Sequence, residues 1–600
     1  MSPRGTLIFD GECGFCRLWI GRWQEICGEA VSFVAYQEAE IPGLDPEACA
    51  RAVQWIGADG TRAEGACAVF LAMAAAGGVR GLPLRIYRLS PVFATPCEWA
   101  YRLVAGHRRV FSALTAVFWG PDVLRPRFDA GMWWFLRLLA AIFAFAFVSF
   151  WIQLPGLVGD RGILPANEFF SSAREAGAGF WDLPGVFWWG AGEHMLAWGC
   201  VIGVLVSLLA LAGIFQGPCL LVAWGTYLSL CGAGQVFYQF QWDGLLLEAG
   251  VLGVLAAPWR PWQPGPCRLP GFARLLIVWL LVRLMVSSGL AKLMSADPTW
   301  WPEMTALTYH YFTQPLPTPL AWLADQLPLT AQKASVLAMF FVELVLPWFL
   351  FAPRRLRHAA ALGLLALQAA IALTGNYGFF NILTAALCFA ALDDSFLRHP
   401  RTQRNAMPGR RGLPDLVVIP VGAAYAVLSL VPLAAVLGWP PPIERVYAAV
   451  APFRSINPYG LFATMTRERP EIIVQGSMDG MVWETYAFRF KPGDTRRRPP
   501  VVAPYMPRLD WQMWFAALGR PSGNPWFIRF AERLLTAEPA VIALLEKDPF
   551  HGRRPRFVRA HLDTYQFATP QLKDQDGQWW VAEPRGIYLP EVSLGPGQNE

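Results

Sequence analysis

The feature that most constrains this chain is a series of apolar runs, each long enough or nearly long enough to cross a lipid bilayer as a helix. About 20 apolar residues span the hydrocarbon core. Nine such runs lie near residues 130–152, 195–215, 219–236, 240–258, 272–291, 334–352, 357–375, 377–392 and 415–437. Charged residues make up only 16% of the 600 residues, against about 25% in soluble globular chains. The sequence therefore predicts a multi-pass α-helical membrane protein of about nine spans, in which 219–258 could instead hold a re-entrant segment.

The charges between these runs predict the orientation of the chain, because cytoplasmic loops of membrane proteins carry an excess of Lys and Arg. Alternate loops share this excess, through Arg260 and Arg268, then Arg354 and Arg355, then Arg398, Arg401, Arg404, Arg410 and Arg411. The intervening loops, 153–194 and 292–333, carry more acidic than basic residues. This pattern predicts a cytoplasmic N-terminus and a C-terminal region outside the cytoplasm. We interpret the net charge of +6 as this topology signal and not as nucleic-acid binding.

Residues 1–115 precede the first apolar run and read as a small soluble α/β domain. Strand-like runs at 6–9 and 31–36 flank a helical stretch at 17–26, and a strand, a turn and a helix follow over 54–73. The chain begins without the apolar core of a secretory signal, so we expect this domain to stay in the cytoplasm. Thiols are kept reduced in that compartment.

A Cys-x-x-Cys pair stands between the first strand and the first helix of this domain. The motif DGECGFC at residues 10–16 places Cys13 near the expected N-terminus of the helix, where unpaired backbone N–H groups stabilise a thiolate. Cys13 and Cys16 could reduce a disulfide in sequence, one as nucleophile and the other as resolving thiol, with Asp10 to accept or deliver the proton. The alternatives are half of a zinc site or a chance pair.

Among the charged residues inside the apolar runs, four are candidates for a functional or structural role: Asp243, Glu248, Arg283 and Glu343. A charge in the hydrocarbon core costs several kcal/mol unless it is paired or hydrated. Asp243 and Glu248 are five residues apart, about 140° around a helix, so they do not share one face. We favour a buried pair between Arg283 and a carboxylate that holds the helices together, over a role in transport or catalysis.

Residues 440–600 read as a further soluble domain, of α+β type. The stretch 471–490 predicts a hairpin whose turn is Asp479-Gly480. Residues 556–567 alternate like another strand, and 509–518 and 526–535 look helical. The region contains no cysteine, so disulfides cannot stabilise it.

The motif D-x-x-C-x-x-C after a strand resembles that of the DCC family of thiol-disulfide oxidoreductase-like domains, which are related to thioredoxin. The resemblance covers residues 5–115 and includes the basic stretch GHRR at 106–109. It implies a thioredoxin-like fold for the N-terminal domain. It also implies a redox role for the Cys13 and Cys16 pair, with a thiol or disulfide protein as a partner.

A second resemblance covers residues 130–570 and is to the lipase maturation factor family. The matching stretches, in order, are FYQFQWD at 237–243 with LLLE at 245–248, residues 292–301, YHYFTQPLPTP at 309–319, NYGFFN at 376–381, NPYGLF at 457–462, EII at 471–473 and PRLDWQMWF at 507–515. The resemblance implies a membrane domain over 130–437 and an extracytoplasmic domain over 440–600. It further implies help in folding or assembling secreted lipase-like clients, and we expect no cofactor.

His310 and the 508–515 stretch contain the candidate client-contact residues. His310 lies in an exterior segment rich in aromatic residues and Pro, which fits either a client-contact surface or an interfacial aromatic belt. Arg508, Asp510, Trp511 and Trp514 are read as client-binding or structural, and the simplest interpretation of the first two is an ion pair that fixes a turn before a helix. Neither a second His nor a carboxylate stands at metal-ligand spacing from His310, so no metal site is expected.

Three hypotheses for function remain open. The chain is a membrane chaperone for secreted lipase-like clients with an accessory dithiol domain, a transmembrane thiol-disulfide oxidoreductase, or a membrane enzyme or transporter working at the intramembrane charges. The fusion to a DCC-type domain resembles bacterial architectures. It predicts the bacterial inner membrane, with the N-terminus cytoplasmic, the C-terminal domain periplasmic and membrane lipid as the surroundings.

Overall fold

Among the residues that the computed structural model describes, six helices are long and apolar enough to cross a membrane. They are Asp129–Leu157, Glu193–Ala212, Gly271–Met294, Leu329–Phe351, Arg354–Thr374 and Asp415–Val436. Each coincides with one of the predicted runs. The structure describes residues 3–39, 41, 43–120, 122–398, 412–439 and 442–594. Four arginines of the predicted basic loop lie outside the described residues: Arg401, Arg404, Arg410 and Arg411.

The other three predicted runs form helices that are shorter or less apolar. Residues 219–236 fall largely in Gln216–Ala233 (18 residues), 240–258 in Gln241–Ala256 (16 residues) and 377–392 in Phe380–Phe389 (10 residues). A straight membrane-spanning helix needs about 20 residues. The prediction of about nine spans therefore exceeds the six helices that meet length and composition.

The described residues of 1–127 and 351–359 form one compact unit. Its strands are β1 (Gly5–Phe9), β2 (Ser32–Ala35), β3 (Gln54–Gly57) and β4 (Arg62–Glu64), and its helices are α1 (Gly14–Cys27), α2 (Pro46–Arg51), α3 (Gly65–Ala75), α4 (Leu82–Leu89), α5 (Pro91–Gly106) and α6 (Arg108–Phe118). The sheet has the order β2-β1-β3-β4, with β1 parallel to β2 and antiparallel to β3. All the strands and helices predicted over 6–73 are present.

The described residues of 128–350 and 360–594 form the second compact unit. The helices that lie wholly or mainly in this unit, up to residue 436, are α7 (Asp129–Leu157), α8 (Ala166–Glu175), α9 (Glu193–Ala212), α10 (Gln216–Ala233), α11 (Gln241–Ala256), α12 (Gly271–Met294), α13 (Ala306–Thr313), α14 (Pro319–Asp325), α15 (Leu329–Phe340), α16 (Arg354–Thr374), α17 (Phe380–Phe389), α18 (Asp415–Leu428) and α19 (Leu430–Val436). Helix α15 continues through a π turn, Phe341–Val345, and a 3-10 segment, Leu346–Phe351.

The helices of this unit differ in how much of their apolar surface is covered. Phe143 and Phe147 of α7 are fully buried. Ile202, Leu205 and Leu208 of α9 are 45%, 55% and 49% exposed. Apolar side chains on the outside of a helix bundle are expected where lipid is the solvent. Helix α7 is therefore a core helix and α9 presents an apolar outer face.

The C-terminal part of the second unit is a mixture of strands and helices, as predicted. It contains β5 (Arg469–Ser477), β6 (Glu484–Thr485), β7 (Ala487–Phe488), β8 (Leu545–Lys547), β9 (Phe557–Phe567) and β10 (Trp580–Val592), with α20 (Glu444–Val450), α21 (Arg508–Ala517), α22 (Pro525–Leu535), α23 (Pro539–Ile542) and α24 (Pro570–Asp576). The main sheet is antiparallel with the order β10-β9-β5-β6.

The predicted hairpin forms between β5 and β6. Gly480 takes a left-handed φ of 78°, a conformation that favours glycine. The carboxylate of Asp479 accepts the backbone N–H groups of Met481 and Val482 at 2.8 and 2.9 Å. The regions predicted as separate domains, 130–437 and 440–600, contribute to one compact unit.

Candidate functional site

A buried ion pair joins helix α11 to helix α21. Arg508 donates from Nη1 to Asp243 Oδ2 at 2.6 Å and from Nη2 to Asp243 Oδ1 at 2.7 Å. Both side chains are fully buried. This bidentate geometry matches the planar guanidinium to the two carboxylate oxygens. The pair ties the C-terminal region of the unit to its apolar helices.

Aromatic and polar groups complete the surroundings of this pair. The Tyr227 hydroxyl donates to Asp243 Oδ1 at 2.6 Å, and the Arg508 guanidinium lies 3.8 Å from the centroid of the Tyr238 ring. The backbone N–H of Arg508 donates to Gln153 Oε1 at 2.8 Å. Because both charges are neutralised and hydrogen-bonded away from water, removing one alone would leave an uncompensated buried charge.

The predicted ion pair between Arg508 and Asp510 is wrong. Helix α21 begins at Arg508, and residues two apart on a helix point about 200° apart. Asp510 instead accepts the backbone N–H groups of Phe490 and Lys491 at 2.9 and 2.8 Å. Burial raises the pKa of the Asp510 carboxyl. Asp510 therefore holds the segment after β7 against α21, while Arg508 reaches α11.

A second buried pair, Glu248 with Arg283, joins α11 to α12. The same carboxylate accepts hydrogen bonds from the hydroxyls of Tyr425 and Tyr459, each at 2.7 Å, and from the backbone N–H of Asn457 at 3.0 Å. Arg283 Nη1 also donates to the Asn457 carbonyl at 2.8 Å. The predicted pairing of Arg283 with a carboxylate is confirmed. One carboxylate thus joins three elements of the unit: α12, α18 and the NPYGLF stretch.

Glu343 pairs with Lys292. The Lys292 Nζ lies 2.8 Å from both oxygens of the Glu343 carboxylate. Glu343 stands in the π turn Phe341–Val345. Sequence reasoning missed Lys292 because it lies in the last turn of α12, one residue beyond the run 272–291. The sequence signal that could have identified Lys292 was its place in the stretch 292–301, which resembles the lipase maturation factor family.

A further buried cluster, which sequence reasoning also missed, joins the main sheet to the end of α13. Arg469 Nε donates to Glu471 Oε1 at 2.9 Å, and Lys491 Nζ lies 2.9 Å from Glu471 Oε2. Arg469 also donates to the carbonyls of Phe312 and Pro315, each at 2.8 Å. The matching stretch EII contains Glu471. Its partners Arg469 and Lys491 could not be recognised from the sequence, because the folded sheet brings them together.

The two tryptophans singled out in the 508–515 stretch are buried. Trp511 packs against Trp242 of α11 with ring centroids 4.7 Å apart. Trp514 Nε1 donates to the Thr313 carbonyl at 2.8 Å. With Arg508 and Asp510 also buried, the predicted client-contact residues of this stretch face the interior of the unit in this conformation.

His310 lies in helix α13 and is partly buried. Its Nε2 is 3.3 Å from the Tyr377 hydroxyl, and the ring lies 4.8 Å from the Phe462 ring, centroid to centroid. Burial, and then the positive charge of Lys292, lowers the pKa of His310 to about 4. His310 is therefore neutral at neutral pH, within a cluster formed by the YHYFTQPLPTP, NYGFFN and NPYGLF stretches.

The lowered pKa of His310 predicts a component of stability that is lost in acid. The unfolded chain binds a proton at a pKa of about 6.5, whereas the folded chain does so only near 4. Stability is therefore full above about pH 6.5 and falls as the pH drops towards 4. We expect His310→Gln to reduce the fall in unfolding temperature between pH 7 and pH 5. His551→Gln, at an exposed site, is the control, and an unchanged pH slope in His310→Gln would contradict the prediction.

The N-terminal unit places the dithiol at the start of α1. Cys13 is the N-cap residue, and its Sγ accepts a hydrogen bond from the Cys16 backbone N–H at 3.4 Å. Burial, and then the hydrogen bond and charge of Cys13, raise the pKa of Cys16 to about 12. Asp10 pairs with Arg108 at 3.4 Å and accepts from Gln37 Nε2 at 2.9 Å. One thiol thus lies at a helix N-terminus, and a second, protonated thiol follows within one turn.

The fold and its buried ion pairs define a multi-pass membrane protein whose C-terminal region is built onto its apolar helices. Two family models match this part of the chain. The lipase maturation factor transmembrane domain matches residues 131–399, and the lipase maturation factor C-terminal domain matches residues 455–590. No solved structure matches the chain.

Curated relatives give the same assignment over most of the chain. Lipase maturation factor 2 of Xenopus laevis is 36% identical over 586 residues, covering 77% of this chain and 82% of that protein. The human lipase maturation factor 2 is 35% identical over 591 residues, with the same coverage. Lipase maturation factor 1 of Bos taurus is 32% identical over 523 residues, covering 78% of this chain and 90% of that protein. The chain belongs to the lipase maturation factor family, and its role is that of a membrane maturation factor.

Proposed function

We propose that this chain assists the folding or assembly of secreted lipase-like client proteins. The observation that carries this proposal is that every predicted intramembrane charge is engaged in a buried pair. Asp243 binds Arg508, Glu248 binds Arg283 and Glu343 binds Lys292. The charges thus support a scaffold that holds the C-terminal region in place. The names of the relatives supply the class of client.

The saturation of these carboxylates argues against the hypothesis of a membrane enzyme or transporter. Glu248 accepts hydrogen bonds from Arg283, Tyr425, Tyr459 and Asn457. A carboxylate that carries protons or ions must release such partners in each cycle. The simpler interpretation is that these ion pairs stay intact and have a structural role.

In this proposal, the exposed surface of residues 442–594 contacts the client. Met481 and Val482, in the β5–β6 turn, are 81% and 66% exposed. Methionine adapts to varied apolar partners. Strand β10 ends the main sheet among the described strands, and an edge strand can pair with an extended segment of another chain. Both features suit binding of an incompletely folded client.

The N-terminal unit has a mixed sheet of the order β2-β1-β3-β4, with the dithiol between β1 and α1, and this arrangement supports our proposal of a DCC-type domain over residues 1–115. In this proposal it is an accessory redox module with a thiol or disulfide protein as its partner. The second candidate function, a transmembrane thiol-disulfide oxidoreductase, is favoured by the position of Cys13 at the N-terminus of α1. We propose a cytoplasmic N-terminus and a periplasmic C-terminal region, in a bacterial inner membrane.

The experiment that tests the proposed function is deletion of the gene in its host. Extracellular lipase activity is then measured per unit of secreted lipase antigen. We expect the specific activity to fall while antigen is still secreted, and the wild-type gene to restore it. Unchanged specific activity for all the lipases of the host would overturn the assignment of lipase-like clients.

Replacement of Cys13 distinguishes the accessory role from the main one. We expect Cys13→Ser to restore lipase specific activity to near the wild-type level in the deletion host, because the client-binding region lies in the other unit. Cys67→Ser, at a partly exposed single cysteine of the same unit, is the matched control. Loss of activity in Cys13→Ser alone, with a mixed disulfide trapped in Cys16→Ser, would instead favour the oxidoreductase.

A further inference from the structure

The N-terminal unit contains an apolar cavity beside the dithiol. Its volume is about 610 Å³, within the range of roughly 300–1,000 Å³ that small-molecule sites occupy. Helices α1, α3, α5 and α6 line it almost entirely with apolar and aromatic side chains, including Trp19, Trp23 and Phe118. Cys16 and Asp10 belong to the same wall. Removal of apolar surface from water is favourable, so this apolar lining favours an apolar occupant.

A basic pocket of about 850 Å³ adjoins this cavity. The two share Tyr101, Ala105 and Arg108 as lining residues. The lining of the basic pocket holds four arginines and two glutamates: Arg51, Arg102, Arg108, Arg109, Glu64 and Glu98. Glu98 is already engaged by the Tyr87 hydroxyl at 2.8 Å and the Cys67 backbone N–H at 3.1 Å. Arg108 is paired with Asp10, so three arginines remain in the lining against two glutamates, and this excess of positive charge favours an anionic group in the pocket.

Arg108 lies at the boundary between the two spaces. Its Nη1 reaches Asp10, in the wall of the apolar cavity, at 3.4 Å. Its Nη2 donates to the Ala50 and Arg51 carbonyls, in the lining of the basic pocket, at 2.7 and 2.9 Å. An apolar space and a cationic space therefore meet at one side chain that is fixed from both sides.

We propose that the N-terminal unit binds an anionic amphiphile with a single long apolar chain. The chain occupies the apolar cavity and the anionic head occupies the basic pocket. A long-chain fatty acid has this chemistry, and so does a lysophosphatidate. Because Cys16 lines the apolar cavity, a bound chain covers its thiol. This site lies in the N-terminal unit and does not depend on the proposed function in client maturation.

Photolabelling of the full chain tests the site. The chain is placed in phosphatidylcholine nanodiscs and labelled with palmitate that carries a diazirine in its chain. We expect labelled peptides from residues 15–23 and 104–119, in addition to labelling of the membrane helices by probe dissolved in the bilayer. Excess unlabelled palmitate should abolish only the first set, and neutral monopalmitoylglycerol should compete at least about tenfold more weakly. Labelling confined to the membrane helices would overturn the proposal.

A cavity-filling variant gives the matched comparison. Ala105→Trp places a large ring where the two spaces meet, and it should lower the labelling of 15–23 and 104–119 by about tenfold or more. Ala58→Trp, at an exposed position of the same unit, should label like the wild type. Labelling of the membrane helices is the internal standard in both. Wild-type labelling of 15–23 and 104–119 in a folded Ala105→Trp chain would overturn the proposal.

Alkylation of Cys16 gives a measurement that does not depend on the fold of Ala105→Trp. In a Cys13→Ser chain, saturating palmitate should slow alkylation of Cys16 by N-ethylmaleimide, followed by mass spectrometry of its peptide. Lysophosphatidate in place of palmitate shows which anionic head is preferred. An alkylation rate that neither amphiphile changes would overturn the proposal.

Discussion

Arg508→Met should lower the free energy of unfolding by about 3–5 kcal/mol, the range seen when one partner of a buried ion pair is removed. The substitution leaves the Asp243 carboxylate fully buried without its cation. Folded proteins have only roughly 5–15 kcal/mol of stability in total. We therefore expect little folded Arg508→Met chain in the membrane and a corresponding loss of lipase maturation.

A second substitution at Asp243 should recover much of this loss. Asp243→Asn removes the buried negative charge and keeps an acceptor for the Tyr227 hydroxyl, which donates to Asp243 at 2.6 Å. In the Asp243→Asn/Arg508→Met chain both charges are absent, so neither is left uncompensated. The double variant should thus be more stable than Arg508→Met alone, and the two substitutions should be strongly non-additive.

An exposed ion pair of the same unit provides the control. Arg529 lies 2.6 Å from Glu168, and their side chains are 46% and 55% exposed. Exposed pairs contribute about 0–1 kcal/mol, so Arg529→Met should unfold close to the wild-type temperature. The measurement is thermal unfolding of the purified chains in one detergent, with the amount of folded chain in membranes. Equal effects of Arg508→Met and Arg529→Met, or additive effects in the double variant, would contradict this account.

Local pattern was sufficient to predict most of the elements. The six longest apolar helices, the β5–β6 hairpin at Asp479-Gly480 and helix α1 behind Cys13 follow from run length, turn chemistry and periodicity. The same rules predicted about nine spans, whereas six helices among the described residues are long and apolar enough to cross a membrane. The predicted run 377–392 contains helix α17, which has only 10 residues. The apolar composition of a run does not by itself show where the helix begins and ends. Apolar residues buried inside a bundle look the same in sequence as residues that face lipid.

The partners of the charged residues could not be predicted, because they are set by tertiary packing. Asp243 and Arg508 are 265 residues apart in sequence, and periodicity carries no information over that distance. The predicted Arg508–Asp510 pair assumed that neighbours in sequence are neighbours in space, which fails once α21 begins at Arg508. Only the pairing of Arg283 with a carboxylate could be predicted, because an unpaired buried charge is unfavourable in any fold.

Glu248→Gln should destabilise the chain by a similar amount, about 3–5 kcal/mol, since it leaves Arg283 buried without its counter-charge. The glutamine amide is close in shape to the carboxylate, so the loss comes mainly from charge and not from packing. Its NH₂ group would also meet donors, because the Glu248 carboxylate accepts from Tyr425, Tyr459 and Asn457. The measurement is the resistance of the chain to protease in membranes, and we expect a low level of folded Glu248→Gln chain.

A single substitution at Glu248 does not separate a structural role from a chemical one, because an unfolded protein is inactive under either. The Glu248→Gln/Arg283→Gln chain does separate them. It removes both charges and should fold better than Glu248→Gln alone, since no uncompensated charge is left in the interior. If the pair serves only to hold α11 and α12 to the Asn457 segment, lipase specific activity per folded chain should return to near the wild-type value. A double variant that folds but does not mature lipase would show that the Glu248 carboxylate takes part in the chemistry, and the scaffold role would be wrong. Because Glu248 is paired with Arg283 and accepts hydrogen bonds from three further residues, we expect the first result.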